Sequence, residues 1–176
     1  AACMMLLHNH PSGSLKPSKE DVKVTDMMHQ VGNLLQIPLV DHIIIGNATQ
    51  IAGEVEIDDF AIVSGGTLVH QFTRISKHVM IQGGSRVGKD IPPYTLIGRD
   101  PIAYCGINIV GLRRRGYTND QVFLIQDIYR TLYTRGLNNS DAINCIESEY
   151  EPSIERDLIL GFIKSSSRGI VRGSMD

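Results

Sequence analysis

A six-residue repeat is the feature that most restricts the fold of this 176-residue chain. Between residues 45 and 91 an aliphatic residue falls at every sixth position, and no other part of the chain repeats. These positions are Ile45, Ile51, Ile57, Val63, Val69, Ile75, Ile81 and Val87. The residue four places after each of them is mostly small or β-branched. A period of six fits neither an α-helix nor an alternating strand, and it predicts a parallel β-helix in which three short strands form each coil.

Stacked coils of this kind align residues that are three hexads apart in the sequence. The predicted buried columns are Ile45, Val63 and Ile81, and Ile51, Val69 and Val87. The double proline in residues 90–93 should end the repeat, because prolines cannot continue a hydrogen-bonded ladder. Glycine pairs at residues 65–66 and 83–84 lie one coil apart. They either let the backbone turn corners or leave a groove for a slender ligand.

The charge distribution narrows the class of ligand. The net charge is only −2, but residues 69–115 carry eight Lys and Arg against two Asp. This part of the chain should therefore attract an anion. Because aromatic residues are not interleaved with these bases, the pattern favours a phosphorylated small molecule or an acidic protein over nucleic acid.

The sequence also predicts where the protein resides. Apolar runs are too short to cross a bilayer, and the N-terminus lacks the pattern of a signal peptide. Cysteines at three widely spaced positions, an odd number, favour a reducing compartment over a disulfide framework. A cytoplasmic protein without membrane insertion is therefore expected. Because the chain starts at Ala1, a fragment or a processed product is also expected.

The first 46 residues predict a strand, a helix and a second strand. Residues 2–7 form an apolar run typical of a buried strand, and residues 37–45 form another. Between them, a helix should begin at Ser18, because Ser18 and Asp21 have the spacing of an N-cap and its N3 partner. Its apolar positions at helical spacing are Val24, Met27, Met28, Val31, Leu34 and Leu35. This helix is the element predicted to cover the open end of the coil stack.

The same segment carries a metal-ligand pattern. His8 and His10 are followed by Ser18 and Asp21 at a spacing that resembles the JAMM motif of JAB/MPN metallopeptidase-like domains, and HNHPSG with IPLVDHIIIG is most similar to the RadC branch. The resemblance implies that His8, His10 and Asp21 bind zinc and that Ser18 supports the bound water. The family's general base is an upstream Glu, and the seven residues before His8 contain none. Alternatively, Ser18 and Asp21 serve only as the helix cap.

Residues 47–172 resemble a second family. The segments NATQIAGEVEIDDFAI, GGTLVHQFTRISKHVMIQGGSRVGKDIPPY and CGINIVGLRRRGY are similar to UDP-N-acetylglucosamine O-acyltransferases of lipid A biosynthesis. The resemblance implies a homotrimer of left-handed parallel β-helices with a C-terminal helical domain and no cofactor. It also implies transfer of a 3-hydroxyacyl group from acyl carrier protein to UDP-N-acetylglucosamine, with a His as general base. That His belongs to a coil before residue 47, where this chain has the RadC-like segment instead.

Several substrate-binding positions of the family match residues of this chain. His70 and Gln71 match a pair that lines the substrate cleft, and Gly83 matches the glycine region that limits acyl-chain length. The positions that help hold the nucleotide correspond to Asn108, Arg114 and Arg115. The alternatives are that residues 113–115 form a solvated basic face and that His70 only caps a turn. Glu54 stands where some relatives carry His.

The last third of the chain predicts helices. Thr118 and Gln121 have the spacing of a capping box, and Asn139 or Ser140 and then Ser153 are predicted to cap two more helices. An apolar stripe follows the first cap and is formed by Val122, Ile125, Tyr129, Leu132 and Tyr133. The expected division is a truncated RadC-like segment over residues 1–46, coils over 47–106 and a helical domain over 107–176.

Three functions remain open from the sequence. The first is an acyltransferase-like protein that keeps the UDP-sugar and acyl-chain binding residues but lacks the His base, with His70 in a supporting role. The second is a RadC-like zinc hydrolase fragment without its Glu. The third is an inactive fusion of the two segments.

Overall fold

The computed structural model describes residues 3–9 and 17–173, apart from the side chains of residues 5, 9 and 40–45. The N-terminal unit consists of β1 (Met4–Asn9), α1 (Lys19–Leu34) and β2 (Leu39–Ile45), and β1 and β2 pair in parallel. Ser18 caps α1, because its Oγ accepts a hydrogen bond of 3.1 Å from the N–H of Asp21. The predicted strand, helix and strand are therefore present, as is the predicted cap.

The apolar stripe of α1 does not cover the coil stack, so that prediction is wrong. Within α1 only Gly32 is buried, and a Cβ there would lie 2.6 Å from the carbonyl oxygen of Ile37. The glycine lets the helix approach the segment that follows it. By contrast, Met27 and Leu34 are 55% and 83% exposed.

Ten further elements lead from the coils to the helical region. They are β3 (Gln50–Ile51), β4 (Glu56–Ile57), β5 (Ile62–Val63), β6 (Leu68–Val69), β7 (Arg74–Ile75), β8 (Met80–Ile81), β9 (Arg86–Val87), β10 (Thr95–Gly98), β11 (Ala103–Ile107) and α2 (Ile109–Arg114). The short strands stack in parallel as sheet 1 (β3, β6, β9), sheet 2 (β4, β7) and sheet 3 (β5, β8, β10), and β11 joins sheet 3 in antiparallel orientation.

The strand register confirms the predicted spacing. Ile51 pairs with Val69 and Val69 with Val87 in sheet 1, while Val63 pairs with Ile81 in sheet 3. Val63, Val69, Ile81 and Val87 are all at most 4% exposed. The side chain of Ile45 lies outside the described residues. The backbone N–H of Gly46 nevertheless donates to the carbonyl of Val63 at 3.3 Å, so the coil register begins directly after β2.

Each turn between coil strands contains one residue with positive φ. These residues recur every six positions, with φ between 58° and 76°, and are Ala48, Glu54, Phe60, Gly66, Phe72, His78 and Gly84. A non-glycine residue in this region costs of order 1 kcal/mol. Most of these residues carry a side chain, so the stacked ladder around each turn must offset that cost.

The double proline ends the regular six-residue repeat, as predicted, but the coil stack continues beyond it. Ile91 forms a β-bridge with Ile75. A regular spacing of three hexads would instead place the partner of Ile75 two residues later, at residue 93. The shortened coil then continues into β10, where Ile97 pairs with Ile81. Residues 92–93 lie in the turn between these contacts, where no ladder hydrogen bond from a proline nitrogen is needed.

Three longer helices complete the fold: α3 (Asn119–Thr134), α4 (Asn139–Glu149) and α5 (Ile154–Ser165). The capping box of Thr118 and the cap of Ser153 are confirmed, and α4 is capped by Asn138 instead of the predicted Asn139 or Ser140. The buried stripe of α3 forms the centre of a second core. No helix in the described part of the chain is long and apolar enough to span a membrane. The three cysteines are free.

Candidate functional site

A groove of about 480 Å³ runs along the outer face of sheet 1. It is lined by Gln50, Ile51, Ala52, Leu68, Val69, His70, Arg86, Val87 and Gly88. His70 follows β6, and its backbone N–H donates to the carbonyl of Val87 at 2.9 Å. The ladder thus fixes the backbone of His70 while its side chain stays exposed.

The imidazole of His70 has a partner that sequence reasoning missed. Nη2 of Arg168 lies 2.9 Å from Nδ1 of His70, and the carbonyl oxygen of Gln71 lies 3.0 Å from the same nitrogen. Arg168 also donates from Nε to the carbonyl of Gly88 at 3.1 Å. The two residues are 98 positions apart, and no spacing pattern in the sequence links them.

Not all of the predicted basic residues are available to an anion. Arg74 pairs with Glu56 at 3.2 Å, and Lys77 pairs with Asp59 at 3.1 Å. Arg86 in the groove is exposed. Fewer basic side chains are therefore left to attract an anion than the sequence predicts.

A column of aromatic rings stands at the turn between sheets 2 and 3. The ring of His78 stacks on Phe60 and on Tyr94, with centroids 4.9 Å and 5.6 Å apart. The hydroxyl of Tyr117 lies 3.2 Å from Nε2 of His78. Above the column, the guanidinium of Arg115 lies 5.1 Å from the centroid of Phe60, close enough for a cation–π contact. Burial lowers the pKa of Arg115.

Asn108 has a role in the fold that the sequence did not reveal. It is buried, its Nδ2 donates to the carbonyl of His78 at 2.9 Å, and its Oδ1 accepts from the N–H of Gly111 at 3.1 Å. Asn108 thus caps α2 and fixes it beside the ring column. Arg114, near the end of α2, is exposed.

Close packing against the neighbouring coil explains why residue 83 is a glycine. A Cβ at this position would lie 2.9 Å from the carbonyl oxygen of Gly65 in the neighbouring coil, so the close approach of the two turns requires a glycine. Gly83 lies between β8 and β9, His70 lies between β6 and β7, and Asn108 contacts the turn between β7 and β8. The predicted substrate-binding residues therefore stand at three different corners of one chain.

The structure describes only some of the metal ligands that the sequence predicts in the N-terminal segment. Nε2 of His8 lies 3.1 Å from Oδ1 of Asp21, so two of the three predicted ligands are neighbours. His10 lies outside the described residues. Among the residues that are described, no group of three His, Cys, Asp or Glu could hold a metal ion. The Oγ of Ser18 is used as the cap of α1.

We expect the stability of the protein to fall as the pH decreases from about 6.5 to 4 because of His78. Burial, and then the charges of Arg115 and Lys77, lower the pKa of His78 from 6.5 to about 4. Below pH 6.5 the unfolded chain takes up a proton that the folded chain excludes, so stability present above that pH is lost. The difference between these two pKa values sets an upper limit of roughly 3 kcal/mol on the stability that is lost.

Urea unfolding at several pH values measures this dependence. Replacing His78 with Phe should remove that part of the slope, whereas His29→Gln, a change at an exposed histidine of α1, should retain it. An unchanged slope in His78→Phe would contradict the assignment.

Two family models match separate parts of the chain. Residues 90–171 match the model described as UDP N-acetylglucosamine O-acyltransferase, domain 2, and residues 1–54 match the RadC-like JAB domain. Both resemblances predicted from the sequence are thereby confirmed. The RadC-like match extends past Gly46 into the first coil.

Relatives of the larger part are consistent with the first match. The acyl-(acyl-carrier-protein):UDP-N-acetylglucosamine O-acyltransferase of Burkholderia lata is 39% identical over 136 residues, covering 75% of this chain and 52% of the relative. The crystal structure of the UDP-N-acetylglucosamine acyltransferase from Bacteroides fragilis is 49% identical, with a TM-score of 0.72 over 76% of this chain and 58% of that chain. The enzyme from Francisella novicida is 34% identical, with a TM-score of 0.71 over 78% and 55%. The chain spans about half the length of the curated relatives it matches.

Proposed function

Because residues 47–172 resemble the C-terminal part of UDP-N-acetylglucosamine O-acyltransferases, we propose that this chain binds a UDP-sugar and an acyl chain. The groove beside His70 carries the proposal. Its lining combines the apolar side chain of Leu68, on the outer face of sheet 1, with the imidazole of His70 and the guanidinium of Arg86. An apolar wall suits an acyl chain, and a guanidinium suits a phosphate oxygen.

The proposed assembly is a homotrimer of left-handed β-helices. Gly83 and His70 stand at two different corners of one chain, and α2 with its flanking residues Asn108 and Arg115 stands at a third. A common site among these residues therefore requires a neighbouring copy. In the proposed site, His70 and Gln71 contact the substrate in the cleft, and Gly83 borders the acyl chain. Arg114 and Arg115 hold the diphosphate of the UDP-sugar.

The proposed activity is binding without efficient acyl transfer. Transfer from acyl carrier protein to a sugar hydroxyl needs a base that accepts the hydroxyl proton near neutral pH. Residues 1–54 match a different family, so the segment directly before the coils does not supply the acyltransferase coil that would carry this His. The reaction itself requires no cofactor, and a cytoplasmic location suits the three free cysteines.

The proposed domain division places the junction near Gly46. β2 ends at Ile45, and the N–H of Gly46 makes a hydrogen bond to the next coil. The proposed units are the RadC-like segment over residues 1–46, the coils over 47–106 and the helical domain over 107–176.

Titration with UDP-N-acetylglucosamine tests the binding function. We expect saturable binding to the full chain and an affinity about tenfold to a hundredfold lower in Arg114→Ala, because a lost hydrogen bond to a charged group costs this much. Arg113→Ala is the matched control. Arg113 belongs to the same run of three arginines, but its side chain contacts Asn119. Equal affinity in Arg114→Ala would contradict the nucleotide-binding role. Failure of the unaltered chain to bind would favour an inactive fusion.

A zinc site in the RadC-like segment is the second candidate, favoured by the 3.1 Å contact of His8 with Asp21. An imidazole nitrogen and a carboxylate oxygen both fit zinc, and His10 is the proposed third ligand. Elemental analysis of the purified chain should find one equivalent of zinc, lost in His8→Ala and retained in His29→Ala. Zinc-free protein, or zinc retained in His8→Ala, would contradict this candidate.

A further inference from the structure

The chain that follows α5 returns to the last coils and reaches the groove of sheet 1. Asp90 holds this returning chain: its N–H donates to the carbonyl of Gly169 at 3.1 Å, and its carbonyl accepts from the N–H of Val171 at 2.9 Å. Its carboxylate accepts from Oγ of Ser166 at 2.7 Å. Arg168 lies between these attachment points.

Arg168 is held at its backbone and at its side chain. The carbonyl oxygen of Arg168 accepts a hydrogen bond from Nζ of Lys89 at 2.7 Å, and its Nε donates to the carbonyl of Gly88 at 3.1 Å. Its Nη2 then lies 2.9 Å from Nδ1 of His70. The guanidinium is therefore fixed by contacts other than the one it makes with the imidazole.

The chemistry of this contact determines which ring nitrogen of His70 carries the proton. A guanidinium has only donors, so Nδ1 of His70 must accept and cannot carry a hydrogen. The neutral ring then holds its proton on Nε2. The carbonyl oxygen of Gln71, 3.0 Å from Nδ1, needs the opposite arrangement, because an oxygen acceptor requires a proton on that nitrogen. The two contacts cannot be hydrogen bonds at the same time.

We propose that Arg168 is a positioning residue that keeps His70 in the neutral tautomer protonated at Nε2. In this state His70 offers a hydrogen-bond donor, and not a basic lone pair, through its remaining ring nitrogen. That this donor meets a substrate oxygen in the groove rests on the function proposed above. The assignment explains how His70 can support binding without acting as the general base.

Nitrogen-15 NMR of histidine-labelled protein tests the proposal at a pH above about 8, where an imidazole is neutral. We expect the His70 ring in the unaltered chain to favour the Nε2-protonated tautomer at least about tenfold, the preference that a charge-assisted hydrogen bond provides. In Arg168→Ala the Nδ1-protonated tautomer should increase, because the carbonyl of Gln71 becomes the available partner. Arg168→Lys should restore the original tautomer only in part, since one ammonium cannot reproduce both guanidinium contacts.

Arg172→Ala is the matched control, an exposed arginine of the same returning chain. In this variant the nitrogen signals of the His70 ring should equal those of the unaltered protein. The proposal would be overturned by a Nδ1-protonated ring in the unaltered chain. It would also be overturned if the ratio of the two tautomers in Arg168→Ala equalled that of the unaltered chain. UDP-N-acetylglucosamine titration of the same samples separates the two ideas. Absence of binding contradicts the proposed function alone, whereas weaker binding in Arg168→Ala supports the proposed role of the His70 donor.

Discussion

Replacing Ile81 with Ala is expected to lower the free energy of unfolding by about 2–5 kcal/mol. Ile81 is fully buried and stands between Val63 and Ile97 in the column of sheet 3. Its neighbours belong to ladders that fix the distance between coils, so they cannot move inward to fill the cavity. Equilibrium unfolding in urea measures the loss.

The matched control is Leu68→Ala, which removes a large aliphatic side chain from the outer face of sheet 1. Leu68 is 39% exposed, so its removal leaves an open surface and no closed cavity. We expect a loss well below that of Ile81→Ala. Similar losses in the two variants would show that the column is not the stabilising core of the coils.

Replacing Asp90 with Ala is expected to loosen the chain beyond α5, whose two backbone hydrogen bonds to residue 90 remain, and to lower the free energy of unfolding by about 3 kcal/mol. Asp90 is 1% exposed, and its Oδ1 accepts from the N–H of Arg74 at 3.0 Å. Without the carboxylate, this N–H and the hydroxyl of Ser166 lose their acceptor. Urea unfolding measures the stability, and trypsin cleavage after Arg168, followed by mass spectrometry, measures the loosening.

Two further variants sharpen this test. Asp90→Asn keeps one acceptor oxygen and should lie between the unaltered chain and Asp90→Ala. Asp26→Asn, a change at an exposed carboxylate of α1, should alter neither measurement. If Asp90→Ala resists trypsin and unfolds at the same urea concentration as the unaltered chain, the attachment of the returning chain depends on other contacts.

Much of the fold follows from local patterns. The hexad predicted the columns of Val63 and Val69 because a strand buries one face, and the same side chain must recur on each coil. Capping residues such as Thr118 act through hydrogen bonds to backbone three positions away, so their pattern is visible in a short window. Asn138 was missed because several adjacent polar residues can each serve as a cap, and only the path of the chain selects one.

The candidate site was less predictable, because its contacts join distant parts of the chain. The resemblance singled out His70 and Asn108, but it did not show that the amide of Asn108 is occupied in capping α2 and in holding the carbonyl of His78. It also gave no sign of the ring column, since Phe60, His78 and Tyr94 are separated by turns that only coil stacking superimposes.

The sequence by itself determined the periodic elements and the two family resemblances, because both depend on the spacing of nearby residues and on short runs of residue types. Only the tertiary structure brought Arg168 to His70, divided the predicted ligand residues among three corners and left the stripe of α1 exposed. These outcomes depend on where a shortened coil and a returning chain place groups far apart in the sequence. No local pattern encodes that placement.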